Sequence, residues 1–313
     1  MDQTSFFDLA YDNKKKKTRK EKFLGEMDKV LPWEKLLLPI TKQYPKSKRG
    51  RPVIPCGVML RIYFMQNWYS LSDPSMEDSL YDIESMRRFA GVDINNIPDE
   101  TTICKFRHFL EKHHLTDKLF TIIRKYLKSH NLLLSEGTIV DATIVHAPSS
   151  TKNKNKQRDP DMKQTKKGNQ WYFGMKAHIG TDTEGRVHSV SVTDASVHDS
   201  VIMEELVHGE EDVLYGDKGY VNQESKQEYE SQGVEWRINR KAKRGRKLTC
   251  ADKSFNRKSN KVRSRVEHVF GIIKNLWGYR KVRYKGLYKN ASQVFTLMGL
   301  ANLYMVRKKL VKT

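Results

Sequence analysis

The chain has 313 residues, with 58 Lys and Arg against 37 Asp and Glu, and therefore a net charge of +21. Hydrophobic residues make up 38% of it, including 14 Tyr, 12 Phe and 5 Trp, which is enough to build a core and excludes disorder of the whole chain. The charge predicts a polyanionic partner, most often nucleic acid, although a ribosomal or merely soluble basic protein would share this composition.

Three cysteines, Cys56, Cys104 and Cys250, are far apart in the sequence. This pattern indicates neither a disulfide framework nor a CxxC zinc site, and a reducing cytoplasm is expected. Residues 1–17 lack the apolar segment of a signal peptide. The apolar stretch 294–306 is too short to span a membrane and predicts a core helix. We therefore expect a cytoplasmic protein without a membrane partner.

Helical patterns dominate residues 1–130, which we predict to be a helical N-terminal DNA-binding domain, basic and partly flexible over residues 1–50. A helix is predicted near residues 18–31, ended by Pro32. Further helices at 76–90 and 101–113 would form a pair similar to a helix-turn-helix. The linker between them is longer than the usual turn, so a plain helical bundle fits equally well.

Strand patterns begin at Gly137 in the segment GTIVDATIV, which is rich in β-branched residues. The polar tract 149–170 is expected to be a mobile basic loop. Two strands joined by a turn at residues 182–185 come next, then a helix capped by Asp199. Short strands and a helix then alternate up to about residue 240.

A basic tract, residues 241–265, contains eleven Lys and Arg and one acid. It can be a solvated face, but its position before a candidate catalytic helix favours contact with DNA. The last helices are predicted at 261–277 and 290–309. The element order predicts an α/β fold over residues 131–313, with a mixed ribonuclease-H-like sheet, helices on both faces and a basic insertion at 240–262.

The helix predicted at 261–277 carries an acid between two bases. At about 100° per residue, Arg263, Glu267 and Lys274 share one narrow face, apart from the apolar stripe. A plain explanation is a salt bridge between Arg263 and Glu267, four residues apart, which contributes only a few tenths of a kcal/mol.

Two aspartates in strands add to this pattern. Asp141 lies inside an apolar strand, where a carboxylate is costly unless it is hydrogen-bonded, paired or bound to a metal. Asp217 follows a buried strand, where ligand-binding and catalytic groups gather in open α/β sheets, although a turn or cap aspartate is equally compatible. Asp141, Asp217 and Glu267 together could hold two divalent ions for phosphoryl transfer, and their oxygen atoms favour Mg²⁺, or Mn²⁺ as a substitute, over zinc.

Several segments resemble one known family over about residues 30 to 310. They are VDATIVHAPSSTKN, GMKAHIGTD, YGDKGY, RSRVEHVFGIIK and KNASQVFTLMGLANLYMVRKKL. Together they are similar to DDE transposases of bacterial insertion sequences, of the insertion-sequence-five type, and the N-terminal part resembles the helical domain of that family. The resemblance implies the ribonuclease-H-like fold.

The resemblance also implies roles for particular residues. Asp141, Asp217 and Glu267 match the catalytic, metal-binding carboxylates. Arg263 and Lys274 match the basic positions of the family's Tyr-Arg-Glu-Lys signature, while Asn260 stands where that signature has tyrosine.

Other side chains near these segments are given supporting or structural roles. We expect Arg263, Lys274, Lys176, Arg265 and Lys261 to contact DNA. His178 is a candidate for support of the site, whereas His146 and His198 are read as structural. Asp194 and Asp199 compete weakly with Asp217 as the second catalytic acid. Trp171 could stack on an unpaired base, but a position in the core is the preferred interpretation.

The sequence therefore predicts a DNA transposase that binds the terminal inverted repeats of its element. It would cleave DNA with Mg²⁺, join the 3′-OH ends to target DNA, and act on double-stranded DNA as a homodimer in the bacterial cytoplasm, at the nucleoid. The alternatives are an inactive DNA-binding protein derived from such a transposase and a nuclease of the same fold.

Overall fold

The computed structural model of the protein describes residue 11 and residues 13–45, 53–154, 156–242 and 245–311. Parts of the segment expected to be flexible, residues 1–10, 12 and 46–50, lie outside the described residues, as do 243 and 244 of the basic tract. The N-terminal part is helical, with α1 (Arg19–Val30), α2 (Trp33–Thr41), α3 (Cys56–Tyr69), α4 (Asp73–Asp82), α5 (Glu84–Ala90), α6 (Glu100–Lys112) and α7 (Leu115–Ser129).

Helix α1 confirms the first predicted helix. Thr18 caps it, because its hydroxyl accepts from the backbone N–H of Glu21 at 3.1 Å while the Glu21 carboxylate accepts from the Thr18 N–H. The helix predicted at 76–90 is instead divided into α4 and α5 by Ile83, whose backbone is extended. A partly buried ion pair of 2.7 Å between Arg107 and Asp73 joins α6 to α4.

The C-terminal part contains one six-stranded sheet. Its strands are β1 (Gly137–His146), β2 (Lys163–Lys167), β3 (Gln170–Thr181), β4 (Val187–Asp194), β5 (Val213–Gly216) and β6 (Glu235–Ile238). The order is β2-β3-β1-β5-β6, and β4 pairs with β3. The β1–β3, β2–β3 and β3–β4 pairs are antiparallel, whereas β1–β5 and β5–β6 are parallel. The predicted turn between β3 and β4 is confirmed.

Helices cover both faces of the sheet: α8 (Met203–Leu206), α9 (Gln223–Ser231), α10 (Cys250–Arg263), α11 (Val266–Gly271) and α12 (Leu287–Leu310). Successive residues of a strand point to opposite faces. Ile139 belongs to the core cluster shared with α11 and α12, and Val140 to the cluster around α8. The mixed α/β character predicted from the sequence is therefore present.

Helix α12 joins the helical part to the sheet. Tyr63 of α3 hydrogen-bonds Thr296 at 3.1 Å. Asn302 accepts from the N–H of Val187 at 2.8 Å and donates to its carbonyl at 2.7 Å. One hydrophobic core therefore runs across residue 130, where the sequence divides into its two predicted domains. Within the described ranges, no helix is long and apolar enough to cross a membrane.

Three local expectations are wrong. Residues 163–167, expected to lie in a loop, form strand β2. The helix expected at 261–277 is interrupted by a turn at Ser264 and Arg265, and its last part, Ile272–Leu276, is a π-helix. Asp199 does not cap the following helical turn, because His198 occupies the cap position and accepts from Ser200.

Candidate active site

Two strands bring Asp141 and Asp217 together. Val140 of β1 pairs in parallel with Gly216 of β5. Asp141 and Asp217 are the next residues on each strand, and Asp217 keeps an extended backbone, so both carboxylates lie side by side at the end of β5. Each accepts one backbone hydrogen bond, Asp141 from Ala142 at 2.8 Å and Asp217 from Lys218 at 2.6 Å.

Burial and the neighbouring positive charges act in opposite directions on the pKa of the Asp141 carboxylate. Burial raises its pKa above the usual value, the neighbouring Asp217 charge raises it further, and Arg263 and Lys167 lower it. Arg263 Nη2 lies 3.5 Å from Asp141 Oδ2, and both side chains are largely shielded from solvent. A largely buried acid beside a second acid favours binding of a cation, and Arg263 partly supplies that positive charge here.

Hydrogen bonds between side chains hold Arg263 in position. Its Nη1 donates to Asn260 Oδ1 at 3.1 Å, and Asn239 Nδ2 donates to the same oxygen at 2.7 Å. Asn239 lies directly after β6 and Asn260 lies on α10. Thus the residue at the tyrosine position of the signature links the sheet to the arginine that contacts Asp141.

Glu267 lies beyond the helix interruption, on α11. Its side chain is exposed and makes no hydrogen bond or ion pair to any part of the chain that the structure describes. The alternative interpretation of Glu267 as the salt-bridge partner of Arg263 is wrong, because Arg263 contacts Asp141 instead. Among the described residues, no three His, Cys, Asp or Glu side chains converge in a cluster that could hold a metal ion.

Lys274 contacts the strand backbone. It lies in the π-helical segment, and its ammonium donates to the carbonyl of Ile144 on β1 at 2.6 Å. Burial lowers its pKa. Lys274 thus anchors this segment to β1, and its predicted contact with DNA stays a prediction.

Lys176 has a similar internal role. Its ammonium donates to Asp199 Oδ1 at 2.9 Å and to the carbonyl of Val197 at 2.6 Å. His178 is fully buried, with Nδ1 3.8 Å from the same Asp199 oxygen and Nε2 2.9 Å from the hydroxyl of Thr193. Burial lowers the pKa of His178 to about 4, so this side chain is neutral near pH 7.

Asp199 lies near the turn that follows Asp217. A Cβ placed on Gly219 would be 3.9 Å from Asp199 Oδ2. Burial raises the pKa of the Tyr220 hydroxyl, and the negative charges of Asp199, Asp141 and Asp217 raise it further. The second competitor, Asp194, accepts from the backbone and hydroxyl of Ser196 in a local turn.

The remaining predicted DNA contacts have exposed side chains. Lys261 and Arg265 are exposed, and Arg265 also donates to the carbonyl of Thr183 at 2.5 Å. Trp171 is 65% exposed, so the preferred interpretation of a core tryptophan is wrong. Sequence reasoning missed Asn239 and Lys167. A signal for Lys167 was present, since Gly168 and Asn169 are typical residues of a two-residue hairpin loop.

Two family models match the chain. Residues 133–303 match the family described as Transposase DDE domain, and residues 12–109 match the family described as Transposase domain (DUF772). The first match spans more than half of the chain, and the chain therefore belongs to the transposase DDE domain family. Both matches indicate a DNA transposase. No solved structure matches the chain.

Proposed function

We propose that this transposase is a Mg²⁺-dependent DDE enzyme of the insertion-sequence-five type. It binds the terminal inverted repeats of its element through residues 1–130, cleaves the DNA there and joins the 3′-OH ends to target DNA. It works as a homodimer in a synaptic complex, because two ends must be handled together, and it acts on the bacterial nucleoid in the cytoplasm. The observation that carries this proposal is the pair of adjacent carboxylates on neighbouring parallel strands, Asp141 in the middle of β1 and Asp217 directly after β5.

The strand order supports a ribonuclease-H-like catalytic domain. An antiparallel β1–β3–β4 set continues through parallel β5 and β6, and both acids lie at the junction where β1 meets β5. Ligand-binding and catalytic groups gather in open α/β sheets at strand ends such as the end of β5, which Asp217 follows.

The donor set suits Mg²⁺. Asp141 and Asp217 offer adjacent oxygen atoms, and Glu267 has a carboxylate with no partner among the described residues. Asp141 and Asp217 would hold the ions together with Glu267, whose carboxylate would have to move towards them, because the three do not converge among the described residues. Bound ions would activate the attacking oxygen and stabilise the leaving oxygen. The chain itself contributes Arg263, which keeps the Asp141 side chain in place, and the exposed Lys261 and Arg265, which contact backbone phosphates.

The test uses DNA flanking the gene, purified protein and Mg²⁺. Asp217→Asn, Asp141→Asn and Glu267→Gln are compared with Asp212→Asn, an exposed aspartate just before the other end of β5. We expect wild type and Asp212→Asn to cut at the element ends, and the three site variants to bind DNA without cutting.

Two results would favour one of the alternative functions over the proposed one. Binding without cutting by the wild type, in both Mg²⁺ and Mn²⁺, would identify an inactive DNA-binding derivative. Cutting that never yields joined products with a supercoiled target plasmid would identify a nuclease of the same fold. Cutting that Glu267→Gln retains would remove that residue from the site.

A further inference from the structure

The hairpin formed by β2 and β3 is basic and largely exposed. Residues 163–172 contain three lysines and no acid, and most of their side chains are exposed. Trp171 is 65% exposed, whereas Trp68 and Trp277 are almost completely buried. The register pairs Trp171 with Lys166, whose ammonium lies 5.9 Å from the indole centroid. A large aromatic ring thus stands in solvent among lysines.

The base of the hairpin is firmly anchored. The two acids that precede it, Asp159 and Asp161, accept from the backbone N–H groups of Gly286 and Leu287 at 2.7 and 3.1 Å. These bonds attach the hairpin to the start of α12. They also engage the acids of the segment, so the surface that the hairpin presents to solvent is positive.

Gly174 lets the hairpin approach β1 closely. Its φ is +157°, and a Cβ there would lie 2.1 Å from the carbonyl oxygen of Val145. The tip lies near the site, because the charge of Lys167 acts on both Asp141 and Lys274. The base of the hairpin packs on the end of β1, where Gly174 pairs with His146 and the Tyr172 ring lies 5.1 Å from the His146 ring.

We propose that this hairpin is a binding site for a single-stranded segment of DNA beside the cut. The Trp171 indole stacks on an unpaired base, and Lys166 and Lys167 contact the flanking phosphates. The inference rests on the proposed function and adds a specific ligand to it. Single-stranded DNA fits because it combines negative charge with accessible base faces, which is what an exposed indole among lysines recognises.

The test is equilibrium binding of a fluorescently labelled oligo-dT strand and of a duplex of equal length, in EDTA so that no cutting occurs. Trp171→Ala and Trp171→Phe are compared with Tyr81→Ala, which removes another exposed ring, from α4. We expect Trp171→Ala to weaken binding of the single strand roughly 5- to 100-fold, the effect of one stacked base. Duplex binding should change little, and Trp171→Phe should retain most of the affinity.

Intrinsic fluorescence gives a second readout. Oligo-dT should quench the tryptophan emission of the wild type, and Trp171→Phe should remove most of that quenching because the other tryptophans are more buried. Equal loss of single-strand and duplex binding in Trp171→Ala would overturn the proposal, as would unchanged binding of the single strand. A change in oligomeric state by light scattering, with unchanged DNA binding, would make the hairpin a contact between two copies of the chain.

The proposal and the proposed function can fail separately. Loss of cutting at element ends with Trp171-dependent strand binding intact refutes the transposition chemistry alone. Normal cutting by wild type, with strand binding that is independent of Trp171, refutes the hairpin site alone.

Discussion

Asn260 offers a direct test of how the site is held. Replacing it with alanine removes an oxygen that accepts from both Asn239 and Arg263. Asn239 is only 7% exposed, so its amide N–H would lose its partner without gaining full access to water. An unsatisfied buried donor costs about 1–3 kcal/mol. The better helix propensity of alanine offsets about 0.5 kcal/mol. We therefore expect Asn260→Ala to lower the free energy of unfolding by about 0.5–2.5 kcal/mol.

The assay is chemical denaturation of Asn260→Ala, Asn239→Ala and the double variant. Lys261→Ala is the control, because Lys261 is exposed on the same helix and should stay within about 0.5 kcal/mol of wild type. The double-mutant cycle should give a coupling of about 0.5–3 kcal/mol between the two asparagines. Additive single effects would refute the reasoning, since they would mean that the two amides do not interact in solution.

Three further outcomes follow from charge and sterics. Because burial lowers the pKa of His178 from 6.5 to about 4, the unfolded chain binds a proton in that range before the folded chain does. Stability should thus fall as pH drops from 6.5 towards 4, and His178→Gln should flatten the decrease in urea titrations. Lys261→Ala should reduce the slope of log binding constant against log salt by about 0.9, one phosphate contact. Gly174→Ala should destabilise by more than about 4 kcal/mol, whereas Gly168→Ala, at φ +62° in open space, should cost about 1 kcal/mol in the same denaturation assay.

The carboxylates on the strands could be located from sequence because their strands have strong local patterns. Apolar, β-branched runs around Asp141 and before Asp217 predict buried strands, and in the structure these two strands are parallel neighbours. Strand β2 lacked this signal. Its residues, KQTKK, are mostly exposed, so no alternation of apolar and polar residues marks it. Pairing with β3, a long-range interaction, makes it a strand.

The helix interruption could not be predicted from local sequence, because neither Gly nor Pro marks it. It coincides with a tertiary contact. The turn at Gly185 packs so closely on the Arg265 carbonyl that a Cβ there would lie 2.6 Å from that oxygen. Arg265 in return donates to Thr183 in the same turn. The β3–β4 turn thus packs at the point where the helix is interrupted. A helical wheel assumes one continuous helix, so it does not describe which side chains share a face across this point.

The two basic residues of the signature lie on opposite sides of this interruption, and both contact β1. Arg263 contacts Asp141 on β1, and Lys274 contacts the carbonyl of Ile144, three residues further along the same strand. Two cations therefore fasten the chain to β1 on either side of Glu267. If these contacts hold Glu267 over the strand, Lys274→Ala should slow cutting at element ends while DNA affinity and its salt dependence stay unchanged. A reduced salt slope in Lys274→Ala would instead show that its ammonium reaches a phosphate, and the anchoring argument would fail.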